Sequence, residues 1–302
     1  MTSARRRLRV ATIALVAIAV GGCLDAPVQS AAPTSGPTPE PTPATTTYKP
    51  GSTVWYEGLV IHVDVAIATL DERGGPVQLG LRLENPNDED GELDARVLLQ
   101  LGGDASAAPL APTRESKIPS VPAHGIVGAV LTYELQGVGT AEQAVVVIGE
   151  APNHVARVPL TPAGGEPAFL EPIGVAVSGR GDVGSLRITL RGAVVRWDLP
   201  DWSQELAGDA EAITVTYDAA YRGDFTGGFA FTGDNVALRL PNGTIVESRR
   251  DGHSQSIDLI GAGQTKAALF SRFEVPNGTK GKLALVVRNG SKSRAIPFTI
   301  PG

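Results

Sequence analysis

Val77-Gln78-Leu79-Gly80-Leu81-Arg82-Leu83-Glu84-Asn85-Pro86-Asn87-Asp88-Glu89-Asp90-Gly91 is the stretch whose reading decides the fold class. Val77, Leu79, Leu81 and Leu83 alternate with Gln78, Gly80, Arg82 and Glu84. A period of two sends one set of side chains into a core and the other into water, the pattern of a half-buried β-strand. The run then breaks into Asn, Pro, Asp and Gly, which favour a turn.

The same grammar extends outward. Leu59-Val60-Ile61-His62-Val63-Asp64-Val65-Ala66-Ile67 is a strand rich in β-branched residues, opened by Val54, Trp55 and Tyr56. Further strands are expected at 93–101, 126–135, 144–149 and 154–160. About seven short strands broken by turns predict an antiparallel sandwich over 52–162. Past Thr161-Pro162-Ala163-Gly164-Gly165-Glu166-Pro167-Ala168-Phe169-Leu170-Glu171-Pro172, a linker by composition (163–172), the pattern resumes. Leu186, Ile188 and Leu190 alternate with Arg187, Thr189 and Arg191, and Ile213, Val215 and Tyr217 and Val236, Leu238 and Leu240 follow the same period. Asn242-Gly243 between Leu240 and Ile245 signals a hairpin. With strands at 266–274, 281–288 and 294–300, residues 173–302 make a second sandwich. The fold class is therefore all-β.

The two halves also resemble each other. Val121-Pro122-Ala123-His124-Gly125 matches Leu259-Ile260-Gly261-Ala262-Gly263, and Tyr133-Glu134 matches Phe273-Glu274. Gln143–Ile148 matches Lys282–Val287, and Ala156–Pro162 matches Arg294–Pro301, in the same order and spacing. This predicts a duplicated domain. The prolines of the last strands, Pro159 and Pro297, fit sheet edges, where not every N–H is needed. Tandem segments with an Asn-Pro-Asn turn, a Pro/Gly loop, an aromatic-Glu strand and a closing Pro-aliphatic strand resemble the telokin-like, immunoglobulin-fold domains of unknown function in bacterial lipoproteins. The resemblance implies two tandem immunoglobulin-like antiparallel β-sandwiches and an extracytoplasmic address, and it implies no reaction. Residues 192–235 depart from it, around Trp197-Asp198-Leu199-Pro200-Asp201-Trp202.

The N-terminus supports that address. Arg5, Arg6, Arg7 and Arg9 precede the apolar run Val10–Val20, which is too short for a permanent span. Val20-Gly21-Gly22-Cys23 then resembles the lipobox of bacterial lipoproteins. That resemblance implies cleavage of a signal peptide, 1–22, and diacylglycerol on the Cys23 thiol. Two chains suffice for stable anchoring at about 0.8 kcal/mol per buried methylene. Residues 23–51 carry the lipidated Cys and a Pro/Thr-rich tether, expected to be disordered and to reach at most about 80–90 Å at ~3.1 Å per residue.

Composition excludes several chemistries. Cys23 is the one cysteine, so there is no intrachain disulfide and no Cys-ligated metal. Removing the four arginines ahead of Cys23 takes the net charge from −6 to −10, which argues against nucleic acid as a partner. No Gly-x-Ser-x-Gly, phosphate loop or paired-histidine metal motif occurs, so no cofactor and no catalytic residue is expected. Asp88, Asp90, Glu92 and Asp94 are candidate calcium ligands by crowding alone. The charge is uneven: residues 52–160 hold 6 basic and 15 acidic side chains, and 173–302 hold 15 and 13. Trp197, Trp202, Arg222, Arg249 and Arg250 therefore make a candidate partner surface for a protein or an anionic envelope polymer. The expected function is a non-catalytic binding or scaffolding module of the cell envelope, anchored in the membrane through its N-terminal lipid and facing outward. The alternatives are an accessory subunit or enzyme of an envelope pathway, or a ligand carrier or sensor.

Overall fold

The structure, a computed structural model, describes residues 43–102, 108–136 and 141–302. The expected signal peptide, the Val20, Gly21, Gly22 and Cys23 motif and most of the expected tether lie outside the described residues. Among the described residues there is no α-helix, only four 3-10 turns among strands.

Each half is built on one plan. The first begins with β1 (Ala44–Tyr48), β2 (Ser52–Tyr56), β3 (Leu59–Leu70), β4 (Gly74–Glu84), β5 (Val97–Gln100), β6 (Ile126–Gln136), β7 (Val145–Ile148) and β8 (Ala156–Pro159). One sheet runs β1-β3-β4-β6, with β2 also on β3, and the facing sheet runs β5-β7-β8. The second half holds β9 (Ile173–Val175), β10 (Gly179–Val183), β11 (Leu186–Arg196), β12 (Asp198–Leu199), β13 (Gln204–Glu205), β14 (Ala210–Tyr221), β15 (Phe229–Phe231), β16 (Val236–Arg239), β17 (Ile245–Glu247), β18 (Asp258–Ile260), β19 (Thr265–Pro276), β20 (Gly281–Asn289) and β21 (Lys292–Ile300). Its sheets run β10-β11-β14-β19, with β9 on β11, and β17-β16-β20-β21.

The duplication goes deeper than the sequence matches. β3 and β11 share one burial pattern, with a register shift at Asp64 in one and at Arg191 in the other. Each bulge inserts one residue, so the inward face changes parity along the strand. In both halves a broken edge strand pairs on either side of that bulge, β1 and β2 on β3, and β9 and β10 on β11. Both closing strands, β8 and β21, are sheet edges, which accommodates Pro159 and Pro297. In an immunoglobulin domain the third strand crosses to the second sheet. Here β4 stays hairpin-paired with β3 and β5 is the strand that crosses, as β14 stays with β11 and β16 crosses, so the arrangement is a variant of that sandwich.

Two hydrophobic cores result. Tyr56, Leu79, Leu131, Tyr133 and Ile148 centre the first, and Tyr217, Phe231, Phe273 and Leu285 the second. Two sequence expectations need correction. The tether does not run free to residue 51, because Ala44–Tyr48 pairs with Ala66–Leu70 as an edge strand. Threonines suit a pleated edge, and Tyr48 packs on the core. The stretch 163–172 is not a free linker either. Ala168 bridges Arg157, the Phe169 carbonyl accepts from Trp55 N–H (3.1 Å), and Phe169 and Leu170 pack on the first core.

Candidate functional site

The long connection between β11 and β14 is what the sequence marked as a departure from the common pattern. In the first half the corresponding link between β3 and β4 is only residues 71–73. In the second half it folds into the small β12–β13 hairpin around Leu199, Leu206 and Ala212 and lies against the first half. Pro41–Gly302 is one compact unit.

The junction is built on the β2–β3 turn, Glu57-Gly58. Both residues have positive φ (49° and 79°), as a two-residue hairpin turn requires. A Cβ on Gly58 would stand 2.7 Å from Pro200 Cα and O, so only glycine lets the chains approach this closely. Gly58 N–H donates to Asp198 Oδ2 (2.7 Å) and Glu57 N–H to Glu205 Oε2 (3.3 Å). The Glu57 carboxylate turns back and accepts from the N–H groups of Asp94 (2.9 Å) and Ala95 (3.1 Å). Arg196 forks onto Asp198 at 2.6 and 2.9 Å. On the far side, His154 N–H donates to Leu206 O (3.1 Å), and Gly208 N–H to Pro152 O (2.7 Å).

Three carboxylates are thus buried close together, with Glu57, Asp198 and Glu205 at 8%, 3% and 3% exposure, and Arg196 pairs with Asp198 among them. Burial, then the neighbouring Asp198, pushes Glu205 up to about 9, so it is held protonated at neutral pH. Its Oε1 has no hydrogen-bond partner. Burial also raises Glu57, against the two N–H groups that hold its anion. Burial with Glu205 and Glu57 nearby takes Tyr56 far above the usual phenol range, and its hydroxyl donates to His154 O at 2.8 Å. Carboxylates so raised and so close invite a search for acid–base chemistry. They lie buried between the two halves, and their hydrogen bonds join the β2–β3 turn to the β12–β13 hairpin.

The candidate calcium ligands do not converge. Asp88 accepts from His124 Nε2 (2.9 Å), Asp90 accepts from Ala123 N–H (2.9 Å), and Glu92 and Asp94 face solvent. Among the described residues no three His, Cys, Asp or Glu side chains gather in a way that could hold a metal ion. The acidic turn is spent on tying down 121–125, and buried Asn85 fixes it from inside by donating to Glu89 O and Val121 O.

The candidate partner surface also dissolves as a unit. Trp197 is half-buried and donates to Asn277 Oδ1 (3.2 Å). Trp202 is 46% exposed, edge-on to His253. Arg249 is held by Asp251 (3.0 Å) and Glu274 (2.6 Å), and Arg250 by Asp234 (2.9 Å). Each of these two guanidiniums has an acidic partner within the chain. Arg222 remains exposed.

No protein-family model matches the chain, and no curated protein matches it. Among solved structures, "The crystal structure of the conserved domain protein from Bacillus anthracis" is 8% identical with a TM-score of 0.27, over 84% of this chain and 90% of that one. A likeness this loose carries no argument.

What the sequence did not single out is an apolar patch on the second half. Phe225, Ile257 and Leu259 are 68%, 67% and 61% exposed. Ile257 and Leu259 share one face of the β18 segment, Ala230 lies opposite Leu259 on β15, and Phe225 sits on the turn leading into β15. The available signal was Ile257 and Leu259 two positions apart with Ile260 beside them, which does not say which face is covered. Two of the surface hollows adjoin the first half. One of about 180 Å³ lies between Asn87–Asp90 and Pro200, Asp201, Ser203 and His253. The other, of about 540 Å³, lies beside β5 beneath Ala111, Pro112 and Ile118. Among the described residues no helix is long and apolar enough to cross a membrane.

Proposed function

We propose that this chain is a lipid-anchored, extracytoplasmic binding module of the cell envelope, without catalysis of its own, and that it recognises a protein through the Phe225–Leu259 patch. The observation that carries the reading is the exposure of three large apolar side chains, Leu259 on β18, Ile257 just before it and Phe225 on the turn into β15. Isolated exposed apolar residues are ordinary, but a group around one ribbon marks an interaction site. The second sandwich supplies the frame, because Phe231 of β15 and Ile260 of β18 are buried in its core. A protein partner is favoured over an anionic polymer because Arg249 and Arg250 are already paired. The anchor rests on Val20-Gly21-Gly22-Cys23.

Crosslinking at the intact cell surface, read by mass spectrometry, tests the binding claim. The Phe225→Ser, Leu259→Ser double variant should lose the crosslinked species by about tenfold or more, as removal of central apolar anchors does. Retention should change little between low and high salt. An unchanged crosslinking pattern would sink the assignment of the patch.

A separate expectation concerns the anchor. Cys23→Ala should remove the acylation site and leave the precursor uncleaved or misprocessed, which the mass of its N-terminal peptide checks. Wild-type protein recovered soluble with an unlipidated N-terminus would refute the anchor.

A further inference from the structure

The two halves treat the same sheet edge differently. β6 and β19 are the equivalent edge strands of the first sheet in each half, with Tyr133 and Phe273 in matching places. The backbone of Thr132 points away from β4: its C=O accepts from Thr113 N–H (2.7 Å) and its N–H donates to Ser116 Oγ (2.9 Å). Arg272 does the same in the second half, bonding Arg249 N–H and Ser254 O. Two residues earlier the halves diverge. Phe270 is still covered, by Ser256 N–H and Ser256 Oγ, both at 2.9 Å. Its counterpart Val130 has no such cover among the described residues. Every second residue of a strand aims its N–H and C=O the same way, so among the described residues Ile126, Gly128 and Val130 present an open row.

Edges left open are normally defended by charge, proline or a bulge. β19 carries Lys266 and Arg272 and a bulge opposite Tyr217–Ala219. Gly125-Ile126-Val127-Gly128-Ala129-Val130-Leu131-Thr132-Tyr133 carries none of these, and Ile126 and Val130 are 57% and 59% exposed. The row is also self-complementary. Antiparallel pairing of two copies about Gly128 sets Ile126 opposite Val130 twice and glycine opposite glycine on the axis. No charged side chain lies within the paired stretch, although the half that carries it is strongly acidic.

We propose that the β6 edge is a self-association surface, on which a second copy of this chain pairs its Ile126–Val130 segment antiparallel, joining two four-stranded paths into one continuous sheet. The pairing makes about six backbone hydrogen bonds. Its area is on the order of several hundred Å², below that of a permanent dimer, so the dimer is reversible, in the range of tens to hundreds of micromolar. Net −9 over residues 52–160 opposes the approach, so added salt strengthens the pairing.

Sedimentation equilibrium tests this on the full chain carrying Cys23→Ser, which removes disulfide dimers. From about 10 to 500 µM the mass should rise from monomer toward dimer, more steeply at high salt. Val130→Lys and Ile126→Lys, both at exposed positions, should each weaken association by about tenfold or more, by setting a lysine opposite an apolar partner on the seam and charging an edge that is otherwise undefended. Leu259→Lys, on the other apolar patch, should leave it unchanged. Amide exchange at Gly128 and Val130 should slow as concentration rises. A chain that stays monomeric throughout, or an association removed by Leu259→Lys and kept by Val130→Lys, overturns the proposal.

Discussion

Glu205→Gln will make this protein more stable at neutral and alkaline pH and leave it unchanged in mild acid. Glu205 has its carboxyl raised from 4.5 to about 9 in the folded chain, by burial first and Asp198 second. A raised carboxyl means that the folded state holds the proton more tightly than the unfolded one. Its contribution is therefore fully present below about pH 4.5 and is lost as pH rises toward 9, at up to about 1.4 kcal/mol per pH unit. Glu57 and Glu211 are raised by burial as well and act in the same direction. Asp218 and Glu247, lowered by Arg191 and Arg288, act oppositely and matter only in acid. Glutamine copies the protonated acid, keeps the oxygen that accepts from Glu57 N–H, and cannot ionise. Thermal unfolding at pH 5, 7 and 9 should show matching midpoints at the first and a variant midpoint higher by about 10 °C at the last, since each kcal/mol shifts a chain of this size by ~2–4 °C. Parallel pH curves for the two proteins would mean that Glu205 is not held protonated in this junction.

Gly58→Ala will damage the same junction from the other side, at all pH values. Its φ of 79° costs a residue with a side chain about 1 kcal/mol. The new methyl also meets Pro200 Cα and O at 2.7 Å, and backbone on a 3-10 turn does not yield as the end of a flexible side chain does. Overpacking of this kind costs about 1–3 kcal/mol, and displacing the turn breaks the bond from Gly58 N–H to Asp198, leaving a buried carboxylate short of a donor at a further ~1–3 kcal/mol. The expected loss is about 3–5 kcal/mol in urea denaturation, with the two halves unfolding in separate steps where the wild type unfolds in one. Gly243→Ala is the control. Its φ is 88° but nothing lies within 4 Å, so it should cost only about 1 kcal/mol. Equal losses for the two variants would show that close packing on Pro200 is not what holds the halves together.

The strands were legible because their signal is local. Val77 to Glu84 fixes its own inward and outward faces within eight residues, and β4 buries Val77, Leu79, Leu81 and Leu83 as the alternation requires. The Asn242-Gly243 hairpin was legible for the same reason: Gly243 takes positive φ, and Asn242 Oδ1 accepts from Thr244 N–H at 3.0 Å. The closing matches of the repeat were also visible. Its opening was not, because the bulges at Asp64 and Arg191 reverse the parity of the alternation and hide equal strands behind unequal residues. Ala44–Tyr48 read as tether because an edge strand of alanine and threonines has almost no apolar signal of its own. It is held by the backbone of β3, a partner that begins eleven residues later.

The candidate sites failed for a different reason. Crowding in sequence does not make a site when each group is already answered. Asp88 meets His124, Asp90 meets the 121–125 turn, and Arg249 meets Glu274. Sequence shows that charges are present and is silent on how they pair. The sites that did emerge join residues far apart: Glu57 and Glu205 are 148 positions apart, and Gly58 and Asp198 are 140. By itself the sequence determined the all-β class, the duplication, the turns and the lipobox-like motif at Cys23, because each is written in spacings of a few residues. Only the tertiary structure decided that the insertion after β11 clamps the two halves, that Glu205 is buried there without a counter-charge of its own, and that β6 keeps an open edge where β19 is covered. Burial and pairing depend on which distant strand lies alongside, and that is set by the summed packing of both cores rather than by any local run of residues.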